Sequence, residues 1–359
     1  MKKSENLLSR DNSMILRGVA ILFIMLHNYL HLPTFGFPAE NEMVFSSERA
    51  MDFFYSICNG SNIIAEFLSH LGWIGVPVFV FLTGYGVAHA SPAKSFKPFD
   101  YIRRHYIKLL VLMLPAVLFF GSIDLLKGNI WPDSAKRISY LTMLVNFAYP
   151  YLNCNPGVYW YFGLTFQFYL LWAFFGKRMN VKNLVVWSIV LLGALFFLSV
   201  YGSSDALSIF RHCFTGWFPV FAIGVFWGLR KKHECLSPKL VWAELLLLVV
   251  LLGLVLLMSR WLATWIFVPI IALGWFIVIG LLLMRTRYLS EAFRWIGKYS
   301  ACIFVCHPIA RSLELNFFAP TISILMINLG IYVVLTIIIV WLYNKYYQWF
   351  LEKLIPKNE

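Results

Sequence analysis

Arg17, His27 and His31 lie inside one apolar run near the start of the chain, with Asn28 beside the first histidine. A titratable group within hydrocarbon is costly, so each of them marks a candidate site. If the run is helical, Arg17 and His27 stand about 15 Å apart along its axis. One end would hold an anionic ligand while the other carries out proton chemistry, for which imidazole is suited because it titrates near neutrality. The plainer readings are a snorkelling anchor for Arg17 and a histidine bonded to a neighbouring helix for His27. A second cluster, Arg103-Arg104-His105-Tyr106-Ile107-Lys108, opens a later apolar run. Arg104 and Lys108 are i,i+4 neighbours and share a helix face. Such a group suits phosphates, and it equally suits a topology signal. His307, followed by Pro308, would sit beside a helix kink, where it could line a cavity or serve a structural role. Glu244 is a carboxylate near the end of another run, where snorkelling explains it.

The elements that must position these residues are set by composition. Of 359 residues, 60% are hydrophobic and 18% aromatic, only 13% are charged, and the mean hydropathy is +0.72. A soluble domain is about 25% charged, so this chain is an integral membrane protein. Disorder, a collagen-like structure and a disulfide scaffold are excluded by the same figures. Apolar runs long enough to cross a bilayer fall at roughly 14–33, 71–90, 106–125, 158–176, 183–201, 213–229, 240–258, 262–284, 299–317 and 323–344. They are continuous rather than alternating, which favours helices over a barrel. The fold class expected is therefore an all-α polytopic membrane protein of about ten transmembrane helices, with residues 1–359 as a single transmembrane domain.

A net charge of +13 raises the possibility of nucleic-acid binding, but the distribution argues against it. With the N-terminus inside, the basic residues outside are Arg49, Lys127, Lys136, Arg137, Arg211, Arg260 and Arg311, and the rest of the 30 fall on the cytoplasmic side. That bias predicts both termini in the cytoplasm. The first run lacks a small-residue cleavage site and is read as retained. The six cysteines form no CxxC pair, so a metal site is not expected. Cys58 and Cys154 both fall outside, where they could pair, while Cys302 and Cys306 are one turn apart and suit packing. No HExxH, P-loop, GxSxG or GxGxxG motif stands in a suitable context.

Several segments, in order, resemble the integral-membrane acyltransferase-3 family, whose members O-acylate bacterial surface glycans. Arg17-Gly-Val-Ala-Ile through His27-Asn28 is similar to its N-terminal signature, and Gly75-Val-Pro-Val-Phe-Val-Phe-Leu-Thr-Gly84-Tyr to its second-span segment. The 103–108 cluster resembles its basic RxxR region, Trp160 through Gln167-Phe168-Tyr169 its aromatic span, and Phe218 through Gly224 and Ile296-Gly-Lys-Tyr-Ser300 through His307-Pro308 its late segments. Two positions depart from the pattern. The family's arginine-to-histidine offset is eleven. Here it is ten, which turns His27 about 80° from Arg17 on a regular helix. A π-bulge would restore the facing. Otherwise Asn28 lines the site beside His27, or His31 does the work. The RxxR pair reads His105-x-x-Lys108, without the second arginine's bidentate fork.

The resemblance implies transfer of an acyl group, most often acetyl from acetyl-CoA, to a saccharide hydroxyl at the outer face of the bacterial inner membrane. Arg17, Arg103, Arg104, His105 and Lys108 would hold the phosphate-bearing acyl-CoA donor. His27 would be the base that activates the hydroxyl, with Asn28 beside it, and a covalent acyl-histidine is the other route. His31, Trp160, Gln167 and His307 would face the saccharide acceptor, and Trp131, Tyr159 and Tyr161 add outer-face aromatics that suit sugar rings or interfacial anchoring alike. Membrane lipid is the remaining partner. The rival readings are a transporter of a lipid-linked glycan or small anion, in which no thioester is consumed, and a non-catalytic member of a polysaccharide assembly.

Overall fold

A computed structural model describes residues 8–60, 62–90, 97–126, 128, 133–148, 151, 157–230, 241–318 and 320–354. Among them there are helices and short turns and no strand. That is the answer a bilayer imposes, because only a helix or a closed barrel satisfies the backbone where water is absent. In chain order the helices are α1 (Arg10–Leu30), α2 (Ser47–Asn59), α3 (Ile63–Leu71), α4 (Val76–His89), α5 (Pro98–Leu126), α6 (Asp133–Leu141), α7 (Val145–Ala148), α8 (Trp160–Phe175) and α9 (Val181–Tyr201). They continue with α10 (Ser204–His212), α11 (Phe214–Leu229), α12 (Val241–Ser259), α13 (Leu262–Trp265), α14 (Val268–Met284), α15 (Arg287–Lys298), α16 (Ser300–Phe317) and α17 (Leu325–Leu354).

Each of the ten expected spans coincides with a helix. Among the described residues, seven stretches are long and apolar enough to cross a membrane: α1, Ile63–His89, α5, α9, Ser204–Leu229, α12 and Ile322–Lys353. The remaining three are α8, α14 and α16, of 16, 17 and 18 residues. The protein is an all-α polytopic membrane protein. The stretch 34–70 between the first two expected spans is largely helical, and Ser46 caps α2 by accepting from the Arg49 N–H at 3.2 Å. Helix α3 then leads through a 3-10 turn, Gly72–Gly75, into α4.

The described residues divide into two compact units. The first comprises Met1–His89, Asn180–Gly202 and Trp217–Ser300. Its centre is α1, which packs against α3, α4, α14 and α15. The most apolar window of α1 is 67% buried within the protein, whereas that of α12 is only 6% buried. Helix α12 thus presents Leu246 and Val249 to the surroundings, as α9 does Trp187 and Ile189, the composition of a lipid-facing surface. The crossing of α4 and α11 in this unit requires glycine on both sides. A Cβ on Gly84 of α4 would lie 2.3 Å from the Phe221 carbonyl oxygen, and one on Gly224 of α11 would lie 2.1 Å from that of Phe81. Backbones this close are the usual means of joining helices in lipid, where apolar burial supplies no driving force.

The second unit comprises Ala90–Met179, Ser203–Gly216 and Ala301–Glu359. Here α5 packs on α6, α8 and α17, and Tyr343 and Tyr346 of α17 donate their hydroxyls to the Leu112 and Val111 carbonyls. Asn146 of α7 donates to the His212 carbonyl of α10. Cys302 and Cys306 are buried packing residues, as their spacing suggested.

Candidate functional site

The first-span residues occupy a regular helix. Ser9 caps α1 by accepting from the Asn12 N–H at 3.2 Å, and Asp11 favours its positive end. No π-bulge interrupts it, so the ten-residue offset stands: Arg17 is exposed while His27 is buried. Asn28 turns its amide back to the Ile24 carbonyl at 2.8 Å. His27 points instead toward the end of α3, where its Nδ1–H donates to the Leu68 carbonyl at 3.0 Å. Room for the imidazole comes from Gly72, where a Cβ would lie 2.5 Å from the His27 Cβ. In the neutral ring this bond places the proton on Nδ1 and leaves the lone pair on Nε2.

His31, one turn further along, has its ring 5.5 Å from that of His27. Its Nε2 meets the Glu40 carboxylate at 2.6 Å. Burial alone would raise the pKa of Glu40, but the hydrogen bond from His31 and the charges of His31 and His27 outweigh it and hold the carboxyl down to about 2. The carboxylate is therefore ionised at any physiological pH.

Glu40 lies on an irregular strap that runs back over the end of α1. The strap is pinned by side chains from three directions. The Pro38 and Ala39 carbonyls accept from Ser69 Oγ at 3.0 Å and His70 Nδ1 at 2.5 Å. Those of Glu40 and Val44 accept from the Arg49 guanidinium at 2.6 and 2.7 Å, and that of Asn41 from Trp265 Nε1 at 2.6 Å. The His70 ring stacks on Phe53 with centroids 4.3 Å apart. Beyond the strap, Phe45, Ser46, Ser47, Glu48, Ser199, Arg260, Trp261 and Leu262 line an open cleft of about 610 Å³.

The other candidates fall in the second unit. Arg103, Arg104 and Lys108 are exposed on α5. His105 is turned away from them: its Nδ1–H donates to the Tyr101 carbonyl at 2.9 Å, and its ring lies between Tyr101 and Tyr169, with centroids 4.1 and 4.2 Å away. Gln167 caps a helix. Its Oε1 accepts from the Phe214 N–H at 2.9 Å, satisfying the first donor of α11. Trp160 is buried with its ring edge-on to His212 at 5.4 Å. His307 is fully buried, its Nδ1–H returning to the Ile303 carbonyl at 3.1 Å. One turn before Pro308 in the same helix, the Val305 carbonyl accepts from the Tyr159 hydroxyl at 3.0 Å. Glu244, in the first unit, does more than snorkel, since Arg285 pairs with it through two hydrogen bonds. Trp131 and Cys154 lie outside the described residues, and Cys58 is exposed. Among the described residues no group of histidines, cysteines and carboxylates is placed to hold a metal.

Sequence reasoning did not find Glu40 and His70. Glu40 falls between the first two apolar runs and belongs to no motif. Its nine-residue separation from His31 across Pro33, Gly36 and Pro38 was the available signal, since those residues turn the chain back.

The fold is that of a multi-pass helical membrane protein whose first span buries a histidine bonded to a neighbouring backbone carbonyl. The family model described as an acyltransferase domain matches residues 13–345, through both units and nearly the whole chain. The chain belongs to that acyltransferase family and is a membrane acyltransferase. No curated protein and no solved structure matches it significantly.

Proposed function

We propose that the protein moves an acyl group, acetyl foremost, from cytosolic acyl-CoA to a hydroxyl of a saccharide or cell-surface glycan at the outer face of a bacterial inner membrane. The observation that carries this reading is the Nδ1–H bond from His27 to the Leu68 carbonyl. It fixes the tautomer whose Nε2 can accept a proton, which is what a weakly nucleophilic hydroxyl needs. Nε2 takes the hydroxyl proton as the oxygen attacks the thioester carbonyl. The carbon–sulfur bond then breaks, and the coenzyme A thiolate leaves and is protonated.

The donor side of the reading rests on the exposed cations Arg103, Arg104 and Lys108 of α5, which suit the phosphates of coenzyme A. The acceptor side rests on the cleft beside the strap, where the Trp261 face and the serine hydroxyls suit a sugar ring.

The test is turnover in proteoliposomes with labelled acetyl-CoA and a crude glycan pool. The native protein should consume thioester and label glycan, and a folded His27→Ala should lose about 10²-fold or more of that turnover. Label trapped on His27 by rapid quenching would mark an acyl-histidine route. Native protein that spares acetyl-CoA and longer acyl-CoA alike would defeat the proposal.

A further inference from the structure

The strap that crosses the end of α1 is over-determined through its backbone. Ser69, His70, Arg49 and Trp265 bind the carbonyls of Pro38, Ala39, Glu40, Val44 and Asn41. None of these contacts involves the Glu40 carboxylate. The Glu40 side chain, which carries its charge to α1, is therefore not what closes the strap. It is directed to His31, whose ring stands next to His27. Arg49, the nearby permanent cation, is turned to the main-chain carbonyls of Glu40 and Val44, and His70 to that of Ala39.

We propose that Glu40 is a positioning residue which, through His31, holds a negative charge beside His27 and balances the positive charge that develops there as it takes the acceptor's proton. The inference rests on the reading of His27 as the working imidazole. A charge several ångströms away needs no direct contact to act in a medium of low dielectric. It favours the cationic transition state over the neutral ground state, so it acts on turnover rather than on donor affinity. His31 presents the carboxylate, and its ring need not exchange a proton.

Two readouts on the purified full-length protein test this. In proteoliposomes, Glu40→Gln keeps an acceptor for His31 and removes only the charge. Its kcat should fall about tenfold or more, while the KM for acyl-CoA stays within about twofold. In a His27→Ala background the same change should add nothing. Independently of turnover, diethyl pyrocarbonate acylates His27 through a transition state that also places positive charge on the ring. The His27 carbethoxylation rate, followed by mass spectrometry, should fall in Glu40→Gln by a similar factor, and Glu40→Asp should recover part of it. Should Glu40→Gln fail to fold, Glu40→Ala, which leaves the strap's backbone hydrogen bonds in place, serves instead with the same expected fall in the His27 rate. A folded Glu40→Gln or Glu40→Ala with native turnover and a native His27 rate overturns the proposal. If the native protein spares every thioester, the acyl-CoA reading fails, while the carbethoxylation comparison still decides the role of Glu40.

Discussion

Gly18 of α1 and Gly297 of α15 stand against each other where the two helices cross. A Cβ on Gly18 would lie 3.2 Å from the Gly297 nitrogen and 2.2 Å from the Phe293 carbonyl oxygen. One on Gly297 would lie 3.0 Å from the Gly18 nitrogen and 1.8 Å from the Met14 carbonyl oxygen. The contact fixes the half of α1 that carries Arg17, and Arg294 adds a bond to Asn12 at 3.5 Å. Gly18 belongs to the N-terminal signature and Gly297 to a late one, so two segments far apart in sequence are the two sides of one crossing.

Gly297→Val should therefore force α1 and α15 apart. Overpacking costs about 1–3 kcal/mol where side chains can shift, and here the obstacle is backbone, so thermal unfolding in detergent should show a loss at the upper end or beyond. Gly253 on α12 is the contrasting case, since a Cβ there would meet nothing within 4 Å. Gly253→Ala should be neutral or slightly stabilising, because alanine gains up to about 1 kcal/mol over glycine in a helix.

The Glu40–His31 pair makes a pH-dependent contribution to stability. The Glu40 carboxyl is lowered from 4.5 to about 2, so its ionised form is favoured by folding. The sign follows: the stabilisation is complete above pH 4.5, and it is lost as pH falls toward 2. Melting temperatures of the native protein and Glu40→Gln should differ at about pH 6 and converge as the pH drops through that window.

Arg103, Arg104 and Lys108 are exposed on α5, where they can meet a phosphate-bearing donor without unfolding anything. Substituting all three by alanine should raise the KM for acyl-CoA with kcat little changed. The native KM should itself rise with ionic strength, because exposed charges are screened, and that salt dependence should weaken in the triple variant.

Gln167→Leu should act on stability. It removes the acceptor of the Phe214 N–H at 2.9 Å and leaves a part-buried donor unmatched, a change of about 1 kcal/mol or somewhat more. Thermal unfolding should show the loss, and Gln167→Glu, which keeps an acceptor oxygen, should recover part of it.

The ten spans could be read directly, because each is a local property: a run of apolar residues that must become a helix once water is removed. Arg17 and His27 were also legible, since a titratable residue inside such a run needs a reason to be there. The regular course of α1 then decided that the two occupy different faces. Gln167, expected at the acceptor, and His105, expected at the donor, each proved to have partners that bind them into the fold: the first turn of α11 and the rings of Tyr101 and Tyr169.

What the sequence determined by itself is the medium and the helices, which follow from composition and local periodicity, and the class of chemistry, which follows from the resemblance of its ordered segments to the acyltransferase-3 family. What only the tertiary structure decided is which groups stand beside His27. Glu40 reaches His31 because the Ala39 carbonyl finds His70, 31 residues away, and the Asn41 carbonyl finds Trp265, 224 residues away. Such contacts depend on which helix faces meet and where glycine lets backbones approach. A linear pattern does not encode that geometry at any one position, because each partner acquires its meaning only when the other has been brought to it.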